Sequence, residues 1–106
     1  MARRSALAVL RDIDKFVPTD GNWLRLDELL AELWSEGVTP GQLSVLFRVF
    51  ERFPHEDGAG VLWSIVHGVE SLPLDYESVL RESLARQPSL MAEVMLGRLE
   101  NAKRRS

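Results

Sequence analysis

The stretch from Thr39 to Pro54 most constrains what this chain can fold into. Thr39, Pro40, Gly41 and Gln42 read as N-cap, N1, N2 and N3 of a helix. That is a capping box, with proline at the position where its missing N–H costs nothing. Leu43, Leu46, Phe47, Phe50 and Phe53 then recur at helical spacing, and Val45 and Val49 add a second apolar side. A helix apolar around most of its circumference must be covered on several sides, so it belongs at the centre of the fold. Pro54 ends it.

Other helices are predicted at short intervals around it. The first runs from about Ser5 to Phe16, with Leu7, Leu10, Ile13 and Phe16 inward. Pro18, Thr19, Asp20 and Gly21 form a turn. The second runs from about Trp23 to Glu36 on a stripe of Leu26, Leu29, Leu30 and Leu33, and Gly37 is placed to end it in a left-handed conformation. The fourth starts near Asp57 or Gly58 and stops before Pro73. The fifth spans about Asp75 to Arg86, capped by Asp75, with Tyr76, Val79, Leu80 and Leu84 inward. The sixth spans Pro88 to about Ala102 and carries Met91, Val94, Met95 and Leu99.

No segment alternates with period two for long enough to be a strand. The expectation is a single all-α domain over residues 1–106, with a basic tail at about 103–106. About six short antiparallel helices would form either a stack of the HEAT or armadillo kind or an irregular bundle. No sequence period near 40 residues accompanies that architecture, so the stack rests on helix lengths alone.

Composition narrows the class. The chain has 106 residues, enough for one core, and its 45 % apolar content is that of a folded protein. The early run Ala6 to Leu10 is too short for a signal sequence and breaks at Arg11, so the segment is expected to be the first helix of a cytoplasmic protein. No apolar run is long enough to span a membrane. With no cysteine there are no disulfides, thiolate metal sites or cysteine nucleophiles. Arg3, Arg4, Lys103, Arg104 and Arg105 hold five of the thirteen basic residues, leaving 8 basic against 16 acidic between Ser5 and Ala102. An acidic body opposes nucleic-acid binding; it suits a solvated surface kept for solubility, or a basic protein partner.

The segment from His55 to Glu77 is the least like a plain core helix. Trp63, His67 and Glu70 fall on one line, Gly60, Ser64 and Gly68 on the next, and Leu62, Ile65, Val66 and Val69 on a third. The small-residue line would admit another element at close range. His67 and Glu70 could meet as an acid–base pair, but no nucleophile or oxyanion donor set accompanies them, and no catalytic role is expected. His55, Glu56 and Asp57 are consecutive, lack the HExxH spacing and are not expected to bind a metal; Glu56 and Asp57 instead suit a helix N-terminus. Gly58, Ala59 and Gly60 match no phosphate-binding motif, and no cofactor is expected.

A family comes into view over roughly Glu56 to Ala102. The residues are Trp63-Ser64-Ile65-Val66-His67-Gly68-Val69-Glu70, then Leu72-Pro73, Asp75-Tyr76-Glu77, Leu80, Glu82-Ser83, Arg86-Gln87-Pro88-Ser89, Met95-Leu96, Arg98-Leu99 and Asn101. In order and spacing they resemble small all-helical bacterial immunity proteins encoded beside polymorphic or contact-dependent toxins. Ala102 and Lys103 stand where a glycine would be expected after Asn101. The resemblance implies a chain that binds and neutralises a cognate toxin by stoichiometric occlusion, without turnover. Charge adds basic nucleases as candidate partners. The expected partner-binding residues are Glu56, Asp57, Trp63, His67, Glu70 and Asp75, with Asp27, Glu28 and Glu32 as an alternative acidic face. A helical scaffold or adaptor domain is the competing expectation.

Overall fold

The structure is a computed structural model and describes residues 5–105, apart from the side chain of Arg105. Among these residues there are six α-helices and no strand: α1 (Ala6–Lys15), α2 (Leu24–Glu36), α3 (Leu43–Arg52), α4 (Leu62–Glu70), α5 (Glu77–Arg86) and α6 (Leu90–Arg105). The fold is all-α, as the periodicity requires.

Adjacent helices in the chain are not always the main neighbours. Helix α3 packs chiefly against α1 and α5, while α4 touches α2 and α6. Helices α1 and α2 also pack together, as do α5 and α6. Two rows result, α1–α3–α5 and α2–α4–α6, and they close over a common core. Helix α3 is central, with Leu43, Leu46, Phe47, Val49 and Phe50 all buried. Burying a leucine or phenylalanine side chain contributes about 1.5–3 kcal/mol, so this one helix supplies much of the driving force.

Local chemistry sets the helix ends. Ser5 accepts from the Ala8 N–H at 3.2 Å and caps α1. Asp20 and Gly21 both take positive φ (52° and 74°), and Thr19 pairs with Asn22 across them. That is the demand of a tight reversal with two left-handed central residues, which an Asp-Gly pair meets well. Asn22 then accepts from the Leu24 N–H (2.9 Å) to start α2. Gly37 closes α2 with φ +90° but ψ 157°, so it is positive in φ without being a left-handed helical residue. The helix start read at Thr39 opens with one 3-10 turn, Pro40–Gln42, in which Gln42 Oε1 accepts from the Thr39 N–H (3.0 Å).

Three further expectations need correction. Helix α4 begins at Leu62, because Gly58, Ala59 and Gly60 all take positive φ (61°, 53° and 91°) and hold residues 57–61 in turns. Gly60 is therefore not on a helix line with Ser64 and Gly68. Leu7 does not face the core and is 65 % exposed; the buried line of α1 is Val9, Leu10, Ile13 and Phe16. Helix α6 continues through the basic residues to Arg105. Cations favour a helix C-terminus, and Lys103 also pairs with Glu77 of α5.

Candidate interaction surface

Helix α4 divides its circumference among three neighbours. Leu62, Ile65, Val66 and Val69 are fully buried in the core. The small residues face α2. Ser64 Oγ lies 3.5 Å from Asp27 Oδ1, and Gly68 sits directly under the ring of Trp34. A Cβ at position 68 would fall 2.2 Å from Trp34 Cζ2, so the glycine is required by a side chain and not by a close backbone. On the other flank Glu70 turns toward α6. Between these flanks Trp63 and His67 form the outer ridge.

Trp63 is half-buried, His67 is exposed, and their rings stack with centroids 5.8 Å apart and planes at 29°. One helical turn brings them together, and offset stacking is favourable for such rings. Glu70 does not join His67. Both its carboxylate oxygens accept from Arg98 of α6 (2.8 and 3.0 Å), in the bidentate geometry arginine favours. This hydrogen bond and the charge of Glu70 push the guanidinium of Arg98 further up. Tyr76 lies in the same depression, an open groove of about 470 Å³ lined also by Leu99, Asn101 and Ala102. Burial, and then the negative Glu70, push its phenol up.

The remaining expected contact residues fall elsewhere. Glu56 and Asp57 are exposed in the turn before α4, where Asp57 Oδ1 accepts from the Ala59 N–H (3.1 Å). That turn is fixed from behind by Trp23. Its ring would lie 3.0 Å from a Cβ at Gly58, and it also packs on Phe16 and Phe53. Asp75 is exposed and accepts from the Glu77 N–H (3.1 Å), so it serves the start of α5. The structure thus joins Trp63 to His67, ties Glu70 to α6, and places Asp75 in a separate turn. It also brings Asp27, from the alternative acidic face, onto the flank of α4.

Leu24 and Arg98 lie beside this surface without belonging to the expected set. Leu24 is 66 % exposed at the start of α2, and its displacement from the Leu26–Leu29–Leu30–Leu33 stripe was a usable sign. Arg98 had no such sign, since its partner is twenty-eight residues away.

The opposite row, α1–α3–α5, has a different chemistry. Arg48 reaches Asp14 of α1 through two bonds (3.0 and 3.1 Å). Arg52 donates to the carbonyls of Phe16 (2.7 Å) and Ile13 (2.9 Å), capping the end of α1 with a positive charge. Glu51 accepts from Arg86 of α5 (3.1 and 2.9 Å) and from the buried Ser83 hydroxyl (2.8 Å). The Arg48 hydrogen bond holds the Asp14 carboxyl below its usual range. Burial pushes Glu51 up, but the bonds from Arg86 and Ser83 outweigh it and leave the group lowered. Burial also lowers Arg52.

Among the described residues, no three or more His, Asp or Glu side chains converge to hold a metal ion. None of the described helices is long and apolar enough to cross a membrane. No family model matches the chain, and no curated protein or solved structure matches it either.

Proposed function

We propose that this chain is a bacterial immunity protein that binds a cognate toxin and neutralises it by stoichiometric occlusion, without turnover of its own. The observation that carries the reading is the outer ridge of α4. A half-buried tryptophan stacked on an exposed histidine offers apolar area and polar edges to a partner. Interface anchors have this chemistry. The same two residues lie in the block whose order and spacing resemble those immunity proteins. His67 lacks Glu70 as a proton partner, because that carboxylate is committed to Arg98. The geometry therefore favours contact over acid–base work.

Two rows of helices also suit a scaffold or adaptor domain of the HEAT or armadillo kind, and the packing of each helix on its next-but-one neighbour favours that second reading. The two separate cleanly. Co-expression of the chain with the product of the gene adjoining its own should restore growth if that product is toxic. An isolated complex should then contain one copy of each. Failure to restore growth, with binding to an unrelated cellular protein instead, would establish the adaptor reading.

A further inference from the structure

The outer face of the α2–α4 row combines three features. The first is exposed apolar area. Leu24 is among the most exposed large hydrophobic residues, and it sits one turn before Asp27 on α2. The second is the Trp63–His67 stack, which borders Ser64. The third is negative charge without a cation. Asp27 is exposed and meets only the Ser64 hydroxyl, at 3.5 Å, and forms no salt bridge with any described residue. Ser64 touches Asp27, and His67 follows Ser64 by one turn of α4, so His67 is the member of the aromatic pair on the Asp27 side. Glu56 and Asp57, both exposed, extend the negative charge past the start of α4.

We infer that Leu24, Asp27, Trp63, Ser64 and His67 form the docking surface for a basic segment of a partner protein. An arginine or lysine of that segment would seat on the Asp27 carboxylate, and its apolar neighbours would cover Leu24 and the Trp63–His67 stack. The charge assigns the occupant. A cation gains from the carboxylate and its apolar neighbours gain from Leu24 and the rings, whereas an acidic segment is repelled by Asp27 and a purely apolar one leaves that carboxylate unpaired. The inference rests on the protein-binding reading above and adds where the partner sits and what it carries.

The test uses the full chain and a capped hexapeptide of alternating arginine and leucine, followed by amide and indole NMR shifts. Shifts confined to Leu24, Asp27, Ser64, Trp63 and His67 are expected, weakening as salt rises. Asp27→Lys should reduce affinity at least tenfold, and Glu100→Lys, at an exposed position of α6, should not change it. Trp63→Phe keeps the ring packed and should weaken binding less than Asp27→Lys. Absence of binding, equal shifts at Glu93 and Glu100, or equal binding by a glutamate–leucine peptide would overturn the surface. So would self-association abolished by Leu24→Glu. Growth protection separates the two proposals. Protection that survives Asp27→Lys combined with Leu24→Glu removes this surface but keeps the inhibitor. Peptide binding without protection does the reverse.

Discussion

The two rows of helices expose opposite kinds of surface. In the α1–α3–α5 row the charged side chains of the central helix are spent on the molecule itself. Arg48 holds Asp14, Arg52 holds the end of α1, and Glu51 holds Arg86 and Ser83. In the α2–α4–α6 row Glu70 of the middle helix is held by Arg98, while Trp63, His67 and Asp27 remain at the surface. Helices α3 and α4 follow each other in the chain and both bury a full apolar side. The difference lies in what their outer residues meet. A polar group satisfied by its own fold adds stability and specifies packing, whereas one left to solvent is available to another molecule.

The sharpest way to break this contrast is Glu51→Ala. It leaves the buried Ser83 hydroxyl without its acceptor and frees Arg86, and should cost about 2 kcal/mol, read by urea unfolding. A loss below about 0.5 kcal/mol would mean that the first row is not held by its ionic contacts. Gly68→Ala tests the other row through packing. The new methyl collides with Trp34, and should cost about 1–2 kcal/mol after the better helix propensity of alanine is allowed for. Adding Trp34→Ala should return part of that loss, since the clash has one source. If the double variant is simply additive, Trp34 does not rest on Gly68 in solution.

Acid should weaken the first row. Asp14 and Glu51 titrate lower in the folded chain than in the unfolded one. Their contribution is complete above the ordinary carboxylate range and is lost as pH falls through the lowered folded values. Unfolding midpoints measured down an acid series should therefore fall, and Glu51→Gln should flatten the fall. The smallest effect is expected at His67→Ala. Its ring is exposed and stacks on one neighbour, so stability should change by no more than about 0.5 kcal/mol. Growth protection should nevertheless drop. A large stability loss in this variant would make the ridge a structural contact and remove the reason to place a partner there.

Much of the fold is legible in the chain. The buried faces of α2, α3 and α4 follow directly from leucine, phenylalanine and valine spacing, because one helical period decides which residues share a side. The turn at Asp20-Gly21 is legible for the same local reason. Boundaries are less so. The start of α4 was displaced by Gly58, Ala59 and Gly60, all at positive φ, and the packing of Trp23, just ahead of α2, against Gly58 is a contact from far along the chain. Leu7 matched the helical period as well as Val9 did, and only the placement of α3 beside α1 leaves it outside. On the site, the helical spacing that set Trp63 beside His67 was local and readable. The allocation of Glu70 to Arg98 instead of His67 was not, because the two side chains are equally compatible with the helix geometry of α4.

By itself, then, the order of residues determined that the chain is helical, which helix is central, and which side of each helix seeks apolar cover. These depend on the 3.6-residue period and on capping chemistry, both of which act within a few residues. Only the tertiary structure decided who meets whom: Gly68 with Trp34, Glu70 with Arg98, Arg52 with the end of α1, and Asp27 with Ser64. Those pairings span helices far apart in the chain, and a side chain's local spacing carries no information about the partner that packing brings to it.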